Sequence, residues 1–139
     1  MGGAGIVAAH FASFSKNVTL TTVINKDKFG NLAKKILKKY KVSLNPIYEY
    51  DRPTTEKSIY ISKNHNLLKV NNVSNQPISN ISLDKIKKKL KKNDYDILII
   101  ADYRHGIFNN QSCKEIIKSI SKKAFKAADS QVASRWGNI

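Results

Sequence analysis

The sequence predicts an α/β domain: a mostly parallel sheet flanked by helices, with one small β hairpin set apart from it. Three observations carry that prediction. Stretches with apolar residues at helical spacing alternate with short β-branched or apolar runs, the pattern of parallel strands joined by helical crossovers. The clearest run is YDILIIADYRHG, an apolar strand from Asp96 to Ala101 that stops abruptly in a charged turn. SIYIS and NLLKV follow one another around Lys63-Asn64-His65 with no helix between them, so they form a hairpin with no easy place in a parallel sheet.

In chain order, Val7, His10, Phe11 and Phe14 recur at i, i+3, i+4 and i+7, which predicts a helix from Ala4 to Ser15 with those four residues inward. VTLTTVI, from Val18 to Ile24, reads as a buried β-branched strand. NKDKFGN is expected to turn the chain, on the signals Asn25, Asp27 and Gly30. A second amphipathic helix then turns Leu32, Ala33, Ile36, Leu37 and Tyr40 inward and its lysines outward. VSLNPIYEY is a further strand, interrupted or ended near Pro46, and DRPTTEK is a polar turn before the hairpin. VSNQPISNIS is loop-like. LDKIKKKLKKN is a surface helix with Leu83, Ile86 and Leu90 inward. After the Asp96–Ala101 strand, Cys113, Ile116, Ile117, Ile120 and Ala124 share one helical face, which assigns Cys113 to the core. KAADSQ is a last short strand-like step.

A chain of 139 residues is long enough for one domain burying about 68% of its unfolded surface. The single cysteine excludes an intrachain disulfide and a cysteine metal cluster, and His10, His65 and His105 have no zinc-like spacing. No apolar run approaches a membrane span, and the opening stretch lacks the basic region of a signal peptide, so a cytoplasmic location is expected. The net charge of +15 invites a nucleic-acid reading, through the helix bearing Lys85, Lys87, Lys88, Lys89, Lys91 and Lys92. Against it, no stacking aromatics accompany that helix, and the arginines that read bases and phosphates bidentately are only Arg52, Arg104 and Arg135. A solvated lysine face is the favoured reading.

Ligands of open α/β sheets sit beyond the carboxyl ends of the strands. Three turns should therefore share one edge: Asn25-Lys26-Asp27, Asp102-Tyr103-Arg104 and Asp129-Ser130-Gln131. Gly2-Gly3-Ala4-Gly5 belongs with them, because glycines before a helix let a ligand oxygen approach bare backbone N–H groups. The spacing is not that of a P-loop, and no nucleophile elbow occurs. Asp102 is placed either to bind a hydroxyl or to serve as a turn or cap residue. The run from Arg52 to Lys57 joins a cation and two hydroxyls to the hairpin, suiting a polyhydroxylated or phosphorylated ligand, although an exposed turn is the favoured reading.

Taken in order, these pieces resemble the ribokinase/PfkB carbohydrate kinases, in the branch of heptose-phosphate kinases that are often fused to nucleotidyltransferases. Gly2-Gly3-Ala4 and its helix are similar to the family's sugar-side glycine motif. VTLTTVINKDKFG resembles the next strand and turn, with Asn25 at a common glycine and Asp27 at the family's aspartate. Arg52-Pro53-Thr54-Thr55-Glu56-Lys57 and the hairpin resemble the family's lid, here about residues 46–72. ILIIADYRHG resembles a strand ending in Ser-Asp-Tyr-x-Lys-Gly, with His105 in place of lysine. KAADSQ and the later Arg135-Trp136-Gly137 resemble the strand ending in Val-Asp-Pro-Lys and the segment after it.

The resemblance implies a partial ribokinase-like fold over residues 1–139, with ATP and Mg²⁺ as cofactors and a sugar or sugar phosphate as substrate. It implies a sugar site at Gly2, Gly3, Asp102 and Lys57, with Gly5 where the family has a sugar-contacting asparagine. Arg104 is added as a phosphate clamp because a guanidinium fork matches phosphate geometry. It further implies pairing of two copies through the lid, and a nucleotidyltransferase fusion or partner. The family's opening strand, its Asn-x-x-Glu region and its Gly-Ala-Gly-Asp anion hole with the catalytic base are not found in these residues. The chain is therefore expected to be the sugar-side and lid piece of a kinase, inactive alone and holding no cofactor tightly. The alternatives are the basic nucleic-acid module and a non-catalytic sugar-phosphate sensor.

Overall fold

A computed structural model describes residues 1–92 and 94–131. Helix α1 (Gly3–Phe14) leads into β1 (Thr19–Ile24), α2 (Lys28–Lys39) and β2 (Ser43–Tyr48). The hairpin β3 (Glu56–Ser62) and β4 (His65–Asn72) follows, then α3 (Asn80–Lys92), β5 (Ile97–Asp102), α4 (Asn110–Ser119) and β6 (Phe125–Ser130). β1 pairs parallel with β2, and β5 pairs parallel with β6, as the helical crossovers require. Among the described residues these are two separate two-stranded sheets, with no hydrogen-bonded rung joining them.

One apolar core nevertheless serves both pairs. Ile47 from β2 and Ile100 from β5 meet Leu83 and Ile86 of α3, and Cys113 and Ile116 of α4. Cys113 is fully buried there, as the helical spacing required. A second cluster joins Ala8 of α1, Leu37 of α2 and Val42.

α1 buries a different face from the one its large residues suggested. Gly5, Ala8 and Ala9 are buried and Ala12 packs against the second cluster, whereas His10 is exposed and Phe14 is 73% exposed. Small residues let the helix axis approach Leu37 and Val42 closely, and that proximity outweighs the larger area of the aromatic stripe. Within α2, Leu37 is buried while Leu32 and Tyr40 are exposed. α2 also starts earlier than its apolar spacing indicated. Asp27 caps it by accepting from Gly30 N at 2.7 Å, so Gly30 lies in the first helical turn instead of a loop. Likewise α3 begins at Asn80, where Ser79 Oγ accepts from Ser82 N at 3.2 Å.

Pro46 does not end its strand. β2 runs through it, pairing Pro46 with Thr22, because β2 has a neighbour on one side only and the missing N–H faces away from the ladder. The hairpin turns at Lys63 (φ 44°) and Asn64 (φ 68°), both left-handed, as a tight two-residue turn requires. It pairs with no other described strand, and Ile59, Tyr60, Ile61, Leu67, Leu68 and Val70 are all exposed on it. The last motif of the sequence reading, Arg135-Trp136-Gly137, lies outside the described residues.

Candidate sugar site at the carboxyl edge

The turns expected to share an edge do so through specific contacts. Asp102, the last residue of β5, is 1% exposed. Its Oδ2 accepts from Ser130 Oγ at 3.0 Å and its Oδ1 from Arg104 N at 3.1 Å. Tyr103 donates its hydroxyl to Asp129 Oδ2 at 3.1 Å; burial, with the neighbouring Asp129, pushes the phenol's pKa up. The turns after β5 and β6 are thus laced together.

The opening glycines reach the same place. A Cβ on Gly3 would stand 2.6 Å from the Tyr103 ring, so the first turn of α1 rests on the turn after β5. Gly2 is exposed, with nothing within 4 Å of its Cβ position, and α1 has no side-chain cap. The first N–H groups of α1 are therefore open to a ligand oxygen. Gly5 is placed differently. It is buried, with Met1 and Leu37 next to it, so it serves helix packing.

The turn at the end of β1 holds the root of the hairpin. Asn25 Nδ2 donates to Tyr50 O at 3.0 Å and to Arg52 O at 3.1 Å, and Asn25 N donates to Thr54 Oγ1 at 2.9 Å. Asp27 Oδ2 accepts from Thr54 N at 2.8 Å. Burial alone would raise the Asp27 pKa; the amides of Gly30 and Thr54 outweigh it and hold the carboxyl below its usual range.

Between the turn after β5, the chain leaving the hairpin and the end of β6 lies a cavity of about 470 Å³. Val73, Asn75, Arg104, His105, Phe108 and Gln131 are among its walls. Arg104 sits there with φ at 62°, a left-handed conformation that costs an L residue about 1–2 kcal/mol. Burial first, then the charges of Lys57 and Arg52, lower the pKa of His105. Its Nδ1 is buried with no hydrogen-bond partner among the described residues.

Of the six residues expected to bind substrate, Arg104 lines the cavity, Gly3 borders it through Tyr103, and Gly2 precedes Gly3 at the exposed start of α1, while Lys57, on β3, is not among its walls. Asp102 lies beneath, its carboxylate engaged by Ser130 and Arg104. Gly5 is turned away. Sequence reasoning missed Arg52 as a structural hub and Tyr103 as the bridge between the glycines and β6. The one available signal was that Arg52 is one of only three arginines in a lysine-rich chain.

No group of three or more histidine, cysteine, aspartate or glutamate side chains comes together among the described residues, and Asp102 and Asp129 are bonded to Ser130, Arg104 and Tyr103. No described helix is long and apolar enough to cross a membrane. In the lysine helix, Lys87 pairs with Asp84 at 2.8 Å and Glu115 at 2.6 Å, and Lys89 donates to Asn45. That leaves Lys85, Lys88, Lys91 and Lys92 exposed.

Comparison with known proteins bears on kinship and fold. No protein-family model matches the chain. It is 28% identical over 129 residues to the bifunctional protein HldE of Sulfurimonas denitrificans, covering 91% of this chain and 27% of that protein. The HldE of Aliarcobacter butzleri is 32% identical over 129 residues, with the same two shares. The chain thus spans about a quarter of the length of these relatives. Among solved structures, a Clostridium perfringens protein described as a sugar kinase superposes with a TM-score of 0.71 at 12% identity, covering 96% of this chain and 42% of that one. The tetrameric inhibited form of phosphofructokinase-2 from Escherichia coli gives 0.67 at 13% identity, covering 97% and 45%. The ribokinase-like fold and the resemblance to heptose-phosphate kinases stand on these matches.

Proposed function

From this kinship with sugar kinases, we propose that the chain forms the sugar-binding and lid portion of an ATP-dependent carbohydrate kinase acting on a heptose-phosphate-like substrate. The observation that carries the reading is the junction of Gly3 with Tyr103 beside the Arg104 cavity, which brings uncapped helix N–H groups and a guanidinium to one edge. The amides at Gly2 and Gly3 take sugar hydroxyls, and Arg104 and Lys57 take phosphate oxygens. Asp102 acts by holding Arg104 N, and Gly5 acts by packing α1. ATP and Mg²⁺ supply the transferable phosphoryl group in such kinases. No transfer step is assigned to the described residues. By the family resemblance, transfer draws on an anion hole and base that other parts of the kinase supply. A lid over the sugar excludes water, which otherwise would take the phosphoryl group.

The exposed apolar hairpin is the surface for pairing with a second copy. A nucleotidyltransferase, fused or separate, and a cytoplasmic setting complete the proposal. The test is titration of the purified 139-residue chain with sedoheptulose 7-phosphate by NMR, alongside an assay for sugar-dependent ADP release. Chemical-shift changes at Gly3, Arg104 and His105 without ADP release are expected. Absence of binding would overturn the sugar site, and ADP release would overturn the dependence on other parts of the kinase.

A further inference from the structure

We infer that Arg52 is a positioning residue for the sugar site: its buried guanidinium locks both roots of the lid hairpin to the turn that carries Arg104 and His105. The inference rests on the sugar-site reading for its function, although its geometry stands independently. Arg52 is 8% exposed and is not among the cavity walls, so it does not meet a ligand. Nη1 donates to His105 O at 2.8 Å and to Ser74 O at 3.3 Å, and Nη2 donates to Gln76 O. Glu49 Oε2 lies 3.7 Å from Nε, and Glu49 Oε1 accepts from Ser79 N at 2.6 Å. The Arg52 carbonyl is in turn held by Asn25 Nδ2.

One residue therefore ties four segments: its side chain joins the chain into the hairpin, the chain out of it and the turn after β5, and its carbonyl joins the end of β1. The two parallel pairs have no hydrogen-bonded rung between them, so at their carboxyl edge this fork is a polar link across the gap. Gly106 makes room for it. At φ 73° its Cβ would stand 1.9 Å from Gln76 O and 2.9 Å from Arg52 Nη2. Ile78 N donates to Gly106 O at 3.1 Å and closes the junction. A planar fork with five donors suits carbonyls arriving from several directions, whereas a lysine ammonium is a compact point charge on a flexible stem. Lid orientation and the conformation of the Arg104–His105 turn are consequently one variable: the hairpin cannot swing at its root without releasing the turn.

The test is amide hydrogen exchange on the full chain as wild type, Arg52→Met and Arg52→Lys. In both variants the amides at 74, 76, 78 and 104–106 are expected to exchange roughly tenfold faster or more, with Cys113 and Ile116 in the core changing less than about twofold. Sedoheptulose 7-phosphate binding should weaken about tenfold in Arg52→Lys. Unchanged exchange at the junction would overturn the inference, as would equal acceleration of junction and core. Full restoration by lysine would show that charge, not the fork, matters, and would overturn it too. Should Arg52→Met fail to fold, Arg52→Lys decides alone. Wild-type chain that binds no sugar phosphate yet shows the local exchange pattern would refute the sugar reading and leave the lock in place.

Discussion

Gly3 and Tyr103 are separated by a hundred residues and touch so closely that a single added carbon on Gly3 would lie 2.6 Å from the phenol ring. The ring cannot retreat freely, because its hydroxyl is bonded to Asp129. The start of α1, the turn after β5 and the end of β6 are therefore held as one surface.

Gly3→Ala should accordingly destabilise the chain by about 1–3 kcal/mol, the range for overpacking a filled contact. In a Tyr103→Ala background the same change should cost little. Urea denaturation of the four proteins measures this coupling. Additive effects would mean the two residues are not in contact.

Gly106→Ala carries a larger penalty. The left-handed backbone and the collision with Gln76 O both oppose a side chain, for a loss of about 3 kcal/mol. Asn at this position eases the backbone part but pushes a larger side chain into the same collision, so it should be no better than Ala. A loss under ~1 kcal/mol in the same denaturation experiment would show that the junction can open without strain.

Arg104 trades stability for its position. Its φ of 62° favours glycine, so Arg104→Gly should gain about 0.5–1 kcal/mol in thermal denaturation. Loss of the guanidinium should weaken sugar-phosphate binding at least about tenfold, within the range for a charge-assisted hydrogen bond. Destabilisation instead would show that the side chain, not a ligand, justifies the strained backbone.

Asp27 sets an acid limit on the lid anchor. Its folded pKa lies below the ordinary 3.8, so its stabilisation is complete above that value and is lost as pH falls through the folded pKa. Wild type should exceed Asp27→Asn by a constant margin of about 1 kcal/mol near neutrality, because asparagine can still cap Gly30 N but offers Thr54 N no second acceptor oxygen. Measured by urea denaturation, that margin should shrink below about pH 4. A margin that persists to pH 3 would mean the carboxylate charge contributes nothing.

Local pattern was enough for much of this fold. The β-branched run of β1, the apolar run of β5 and the lysine-faced α3 were legible because burial on a strand or one helical face imposes its own period. The hairpin and its turn were legible too, since two short alternating runs joined by Lys63-Asn64 have few other solutions. Size misled at α1. Periodicity selected the bulky stripe of Val7, His10, Phe11 and Phe14, but close approach to Leu37 selected Gly5, Ala8 and Ala9. Proline misled at β2, because whether Pro46 breaks a ladder depends on which edge has a neighbour. The sequence by itself determined the element types, their order and the edge on which the three turns gather, since these follow from backbone periodicity and parallel crossovers. Only the tertiary structure decided that Asp102 is tied up by Ser130 and Arg104, that Gly5 is buried, and that Arg52 binds three distant carbonyls. Hydrogen-bond partners at such sequence separations depend on where the chain returns in space, and no local spacing encodes that.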